Sequence, residues 1–486
     1  MSDDTDSTTP GSTVTKPKVG VWLLLVGAVI MLSGLLFGYD QGVIAGALDG
    51  IQKSFGAGTT MIQIITSWVT LGALVGALVA GVLADRLGRR ITILLAALLF
   101  TIGALLESLA PGTVVLVIGR LVVGFGVGVA SVAAPLYAAE QAPTRLRGRF
   151  VSIYQLAITL GIFIAYLVDQ LLTNNDMWRA MLGVSAVPAV LLIIVMLPMP
   201  DSPRWFVKVG RRDDAIKALE KVRPDVDAPA EVAEIEKAAN AEDSDKATWG
   251  EVFSKRLRRP LMIGIGLAVF QQITGINAII YYADKIFAQA GFSTPADQAS
   301  ATTWAIGGVN VLATLIAVAY VDRFGRRPLL LAGLVGMASA LITVGISFHF
   351  MDKADTSGAG SGGPTTAGII TLVALVVFIA SFAFSLGPVV WTVINEIFPN
   401  RIRGRAVAVA TAVNWGSAWL VSQFFLTLID SIGNSATFYL FGAFSVIAYV
   451  WIWRRVPETK GRSLEEIQQI WEDADPVQSQ RDAGTL

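Results

Sequence analysis

Asp40 sits in the stretch LLFGYDQGVIAG, Leu35–Gly46, inside the first long apolar run of the chain, with almost nothing polar beside it. An ionised side chain in such surroundings costs at least a few kcal/mol, so its presence asks for a compensating role. Arg120, in IGRLVVG, is the only Arg well inside an apolar run and is the candidate partner. A carboxylate that separates from a guanidinium and pairs with it again meets two different environments. It can bind a proton in one and release it in the other. The alternative reading is a static structural pair.

A second group of residues is uncharged. Gln155, Gln271, Gln272, Asn277, Asn310 and Asn414 also lie within apolar runs. A single amide of this kind is explained by a hydrogen bond to a neighbouring helix. Several facing one cavity match a hexose or pentose, whose hydroxyls both donate and accept. Trp391, with Trp415 or Phe37, offers a flat surface to the C–H face of such a ring. No basic cluster accompanies the amides, which argues against a phosphorylated or anionic ligand.

The elements that must carry these residues follow from composition. Hydrophobic residues make up 54% of the chain and charged ones 15%, with a mean hydropathy of +0.62, the profile of a polytopic membrane protein. A hydrocarbon core takes about 20 apolar residues per helix, and about twelve candidate spans follow, centred from Leu35 to Ala443. Between the sixth and seventh lies a polar stretch in which RRDDAIKALEKV and PAEVAEIEKAANAE have helical spacing, with Pro224 and Pro229 as breakers. The expected division is an N-tail over 1–19, a first half over 20–200, a helical linker over 201–259, a second half over 260–457 and a C-tail over 458–486. Lys plus Arg equals Asp plus Glu at 37 each, so no charge bias points to nucleic acid. Without Cys, and with His349 as the single His, disulfides, thiolate chemistry and Cys-based metal sites are excluded. The acidic, Ser/Thr-rich N-terminus reads as preceding a retained first span rather than a signal peptide. The lack of an Asn-x-Ser/Thr sequon points towards a bacterial source.

The spans repeat. DRLGRR, Asp85–Arg90, recurs as DRFGRR, Asp322–Arg327, and the pattern Glu140 with Arg147-Gly148-Arg149 recurs as Glu396 with Arg403-Gly404-Arg405. The offset that carries Asp85 onto Asp322 also carries Gly38 onto Gly275 and Asp40 onto Asn277. A duplicated six-helix unit with parallel halves is a secondary-transporter signature and places a ligand near the midplane between the halves. The Arg-rich turns all fall on one side, which the positive-inside rule makes cytoplasmic together with both termini. Repeated with fixed spacing, Asp85, Arg89, Arg90, Glu140, Arg147, Arg149, Asp322, Arg326, Arg327, Glu396, Arg403 and Arg405 are expected to form a cytoplasmic gate of ion pairs that make and break. Topogenic charge alone is the other reading. Gly119, Gly124, Gly126 and Gly128 fit close helix packing, and Gly387-Pro388 before Trp391 fits a hinge. Glu107, Asp169, Asp284 and Asp430 lie near span ends, where water is available, and carry no assignment.

Over nearly its whole length the chain resembles the sugar porters of the major facilitator superfamily. The resemblance is carried by GVLADRLGRR, GRLVVGFGVGVAS, PDSPRWFVKVGR, QQITGINAIIYY, VDRFGRRP, GPVVWTVINEIFP, RGRAVAVATAVNW and VPETKGRSLEEI. Asp201 stands where that family usually has Glu before SPR. The resemblance implies that Gln155, Gln271, Gln272, Asn277, Asn310, Trp391 and Asn414 contact the sugar, and that Tyr281, with Tyr282 beside it, forms an extracellular gate. It also implies proton coupling, because bacterial proton-coupled members carry Asp and Arg where this chain has Asp40 and Arg120, and animal facilitators have Asn for the Asp.

The expectation is thus an all-α membrane protein of twelve transmembrane helices in two pseudo-symmetric six-helix halves, the major facilitator fold. It carries a neutral monosaccharide with a proton by alternating access, as a monomer in a bacterial cytoplasmic membrane. A facilitator or exchanger without coupling is the alternative, and a sugar sensor ranks last because the tail after Lys460 is short. An enzyme is disfavoured, since no nucleophile with its base, metal cluster or phosphate loop appears. No cofactor or metal is expected, and the partners are sugar, proton and lipid bilayer.

Overall fold

The computed structural model describes residues 20–143, 146–173, 177–243, 249–355, 365–461 and 466. The expected N-tail, Arg145, most of the expected C-tail and the side chains of Arg147 and Asp322 lie outside this description.

Eleven stretches among the described residues are helical, long and apolar enough to cross a membrane. The first six are Val21–Phe55, Thr59–Leu87, Arg89–Ser108, Thr113–Gln141, Gly148–Leu172 and Trp178–Met196. The remaining five are Arg258–Tyr281, Pro295–Tyr320, Arg326–Met351, Thr366–Ile397 and Ile402–Arg455. The last has 54 residues, roughly 80 Å of helix at 1.5 Å per residue, against a hydrocarbon core of about 30 Å. Gly433, at φ 82° and ψ 165°, breaks it into an eleventh and a twelfth crossing. The fold is therefore the expected one of twelve crossings in two six-helix halves. Leu78, Leu98, Ile102, Ile194, Leu312, Ile316 and Val373 are exposed on its perimeter, an arrangement suited to hydrocarbon rather than water.

Between the sixth and seventh spans run the short helices Pro203–Lys208, Arg212–Val222, Ala228–Asp243 and Trp249–Val252. Pro229 does not interrupt the third of these. It lies in the first turn, where its missing N–H has no intrahelical partner to lose.

Small residues set the helix spacings that position the site. Gly34, Gly38 and Gly42 share one face of the first span and meet the backbone of the fifth; a Cβ at Gly38 would stand 1.9 Å from the Ile158 carbonyl oxygen. Gly124 likewise presses the fourth span onto the second, with a Cβ there only 2.0 Å from the Val69 carbonyl oxygen. Asp40 follows Gly38 by two residues and Arg120 precedes Gly124 by one turn, so both sit where their helices are most tightly held.

Three spans are irregular where the amides lie. The seventh ends its first helix at Ile273, passes Gly275 at φ 95°, and resumes as the six-residue helix Ile276–Tyr281. The eighth has π-helical geometry over Thr302–Gly308, just before Asn310. The tenth breaks at Ser385, φ −123° and ψ −94°, between Thr366–Phe384 and Leu386–Ile397. Pro388 has no N–H to give the Phe384 carbonyl and its ring crowds that group, so the break falls one turn before the Gly387-Pro388 pair. Gly275→Ala is expected to cost about 1–3 kcal/mol, because a Cβ at positive φ is strained and would meet the Phe441 ring at 3.1 Å. The readout is the thermal midpoint of the detergent-purified protein; a wild-type midpoint would show that the turn tolerates a side chain.

Candidate functional site

The first and fourth spans bring Asp40 and Arg120 together. Arg120 Nη1 donates to Asp40 Oδ1 at 2.7 Å and Nε donates to the Ile65 carbonyl of the second span at 3.1 Å. Arg120 is 0% exposed and Asp40 4%, so the pair is closed to water in this conformation. A third member was not anticipated. Glu107 of the third span is 1% exposed and places Oε1 3.7 Å from Arg120 Nη1. Its position near a span end does not give it water: the side chain turns inward beneath Arg120. Asp169 is also buried, accepting from the Gly46 amide, whereas Asp430 is exposed as expected.

Four of the six amides form one network in the second half. Asn277 Nδ2 donates to Gln272 Oε1 at 2.7 Å, and Gln272 Nε2 donates to Asn414 Oδ1 at 3.1 Å. Asn414 Nδ2 donates to Gln271 Oε1 at 2.7 Å, and Gln271 Nε2 donates to the Leu386 carbonyl at 2.8 Å. The chain of amides thereby runs from the turn of the seventh span to the break of the tenth. Gly275 makes this possible, since a straight helix would carry Asn277 away from Gln272 instead of folding it back. Asn310 is buried in the eighth span and Gln155 half-buried in the fifth; neither joins the network. Trp391 is half-buried. Trp415 and Phe37 pack on each other across the two halves with ring centroids 5.4 Å apart.

The helix Ile276–Tyr281 connects the two groups. Asn277 and Tyr281 are four residues apart and share one face. Asn277 joins the amide network, while Tyr281, 1% exposed, stands within electrostatic reach of Asp40 and Arg120 and interacts with the Gln41 side chain. Tyr282 turns the other way, donating to the Ser422 carbonyl at 3.0 Å and stacking on Phe425.

The repeated Arg motifs form matching clamps. Arg89 holds Glu140 through two bonds of 2.8 and 2.9 Å, with Asp85 at 3.4 Å, and Arg326 holds Glu396 at 3.1 Å. Each clamp ties neighbouring spans inside one half, not one half to the other. Arg90 donates to the Leu197 carbonyl and Arg403 to that of Phe398. Arg149 is exposed and Arg405 half-buried. Two further acids complete the clamps. Asp201 accepts from the backbone amides of Arg89 and Arg90 at 2.9 and 3.2 Å, and Glu458 accepts from those of Arg326 and Arg327 at 3.0 and 3.1 Å. Each satisfies the unpaired N–H groups at a helix N-terminus, where negative charge is favoured. The available signal was an acid directly after or beside Pro in both PDSPRW and VPETKG. Burial pushes the Asp201 carboxyl above the usual range despite these bonds. At Glu458 burial acts the same way, but the amides of Lys460, Arg326, Arg327 and Thr459 outweigh it and hold the carboxyl below that range.

Hydrogen bonds between the halves are one-sided. Among the described residues, Gln63 bonds Thr427 at 2.8 Å, Ser67 bonds Gln423 at 2.6 Å, Tyr166 bonds the Ile280 carbonyl at 2.9 Å and Lys285 bonds Gln52 at 3.1 Å. All lie towards the end remote from the Arg clamps. The halves are closed there and carry no such bonds at the clamp end among the described residues.

The family model of sugar (and other) transporters matches residues 26–471. The chain is 40% identical to the galactose-proton symporter of Escherichia coli (strain K12) over 90% of its length and 92% of that protein's. It is 36% identical to the arabinose-proton symporter of Bacillus subtilis (strain 168), over 95% of its length and 98% of that protein's. Among solved structures, it superposes on a partially occluded inward-open conformation of the xylose transporter XylE from E. coli with a TM-score of 0.78 at 30% identity, covering 91% of this chain and 100% of that one. The two-half architecture, the repeated clamps and this match over the chain's length have one reading: the chain belongs to the sugar porter family of the major facilitator superfamily.

Proposed function

We propose that this transporter, which is not an enzyme, carries a neutral monosaccharide into the cell together with a proton. The observation that carries the reading is the helix Ile276–Tyr281, which has an amide ligand candidate, Asn277, at one end and Tyr281, within electrostatic reach of the Asp40–Arg120 pair, at the other. A sugar that pulls on Asn277 moves the surroundings of the proton site through one rigid element. The relatives named as arabinose-proton and galactose-proton symporters support it.

In this scheme Asp40 takes a proton from outside, and the sugar binds Gln271, Gln272, Asn277, Asn310, Asn414 and Trp391, with Gln155 reaching it from the first half. Phe37 and Trp415 line the passage between the halves. Tyr281 and Tyr282 close the outer side, the break before Gly387 and Pro388 lets the lower part of the tenth span swing, and the halves open at the clamp end. The clamps of Arg89 with Glu140 and Arg326 with Glu396, together with Asp85, Arg90, Arg147, Arg149, Asp322, Arg327, Arg403 and Arg405, set the cytoplasmic gate. A conformation joined at the far end, with Asp40 bonded to Arg120, fits the stage after release of sugar and proton. The division at 1–19, 20–200, 201–259, 260–457 and 458–486, both termini in the cytoplasm, the lipid bilayer as surroundings and a monomeric unit belong to the same proposal.

The test is uptake of radiolabelled galactose, xylose, arabinose or glucose into proteoliposomes with an imposed pH gradient. Accumulation of one of these above the external concentration, abolished by a protonophore, is the expected result. Equilibration without accumulation, insensitive to the protonophore, would identify an uncoupled facilitator instead.

A further inference from the structure

Arg120 faces two carboxylates, not one. Asp40 takes its Nη1 at 2.7 Å, while Glu107 Oε1 waits at 3.7 Å from the same nitrogen. Arg120 Nη2 and Glu107 Oε1 are both fully buried, and neither makes a hydrogen bond. A buried donor and a buried acceptor left unmatched so close together are costly in one state and complementary in another. The space for Glu107 is also provided: a Cβ at Gly119 would stand 2.7 Å from Glu107 Cγ, so the glycine one residue before Arg120 admits the side chain. The other titratable group bearing on the set is Tyr281, from the seventh span. The second span contributes only the Ile65 carbonyl to Arg120.

Resting on the reading of Asp40 as proton carrier, we propose that Glu107 is a second counterion for Arg120, receiving the guanidinium when Asp40 is protonated. A proton on Asp40 removes the partner of a fully buried cation, and breaking a buried ion pair in that way is strongly unfavourable. Glu107 relieves this at its source. A small rotation of the guanidinium brings Nη2 to Oε1, the cation stays paired, and Asp40 is free to hold its proton until the halves have turned. Deprotonation of Asp40 returns Arg120 to its first seat. Glu107 is in this sense a positioning residue: it carries no transported proton and acts through Arg120.

The experiment uses the full chain in proteoliposomes. In Glu107→Gln, loading of Asp40 leaves Arg120 unpaired, so the pH of half-maximal proton-driven sugar accumulation should move to the acid side by about one unit or more. In Asp40→Asn, Glu107 is the remaining anion, so sugar exchange should continue. In the double variant Asp40→Asn/Glu107→Gln, exchange should fall at least ten-fold below Asp40→Asn, with a loss exceeding the product of the single effects. An unshifted pH midpoint in Glu107→Gln overturns the proposal, as does exchange in the double variant equal to that in Asp40→Asn. If the double variant cannot be purified, the midpoint of Glu107→Gln decides, since its Asp40–Arg120 bond is intact. Uphill accumulation that survives in Asp40→Asn is a different failure: it removes Asp40 as carrier, whatever Glu107 does.

Discussion

Asp40→Asn is expected to abolish accumulation while leaving sugar exchange. One proton moved down a 100 mV potential supplies about 2.3 kcal/mol, which supports roughly fifty-fold accumulation of a neutral sugar carried with it. Asn has nearly the same shape as Asp, keeps an oxygen facing Arg120 Nη1, and is neutral at every pH. It therefore mimics the protonated carrier permanently. The halves can still pass between their conformations with sugar bound, but no proton need accompany them, and the accumulation ratio falls to about one. Exchange of labelled for unlabelled sugar across proteoliposomes, measured beside accumulation in the same preparation, separates this outcome from simple misfolding. Accumulation at the wild-type ratio would show that the proton travels elsewhere.

The legibility of this site follows a physical division. Asp40 could be read because a charge in an apolar run must find a partner, and Arg120 was the single cation deep enough to provide one. Gln271, Gln272, Asn277 and Asn414 could be read as polar groups needing partners, and the structure brings them into one network. Hydropathy reports depth along a helix but not the direction in which a side chain turns. For that reason Glu107 and Asp169 read as water-facing and are buried. The internal repeat shows the same limit. Gly38 and Gly275 are equivalent by offset, yet Gly38 lies within a continuous helix against Ile158, whereas Gly275 turns the chain at φ 95°. What differs is the neighbour: the fifth span crowds the first, and the Phe441 ring lies over the turn of the seventh. The joining of the halves at one end is less legible still. A chain that must open at either end encodes both arrangements, so its sequence favours neither.

Gln272→Ala should produce the opposite kinetic signature to Asp40→Asn. Gln272 is the central link of the amide chain, accepting from Asn277 and donating to Asn414. Its removal leaves one donor and one acceptor without those partners, and each hydrogen bond to the sugar that depends on their orientation is worth about 0.5–1.5 kcal/mol. Two such losses correspond to roughly five- to 150-fold weaker half-saturation. The ion pair of Asp40 and Arg120 is untouched, so at saturating sugar the variant should still accumulate it under a pH gradient. Gln155→Ala, outside the network, should raise the half-saturation concentration by a smaller factor. Initial uptake rates over a range of sugar concentrations, with size-exclusion profiles to check folding, make the comparison. A wild-type half-saturation in Gln272→Ala would mean that the network braces the seventh, tenth and eleventh spans without holding the sugar. A lost accumulation ratio at saturation would mean that sugar and proton share one site, and not two linked by the helix Ile276–Tyr281.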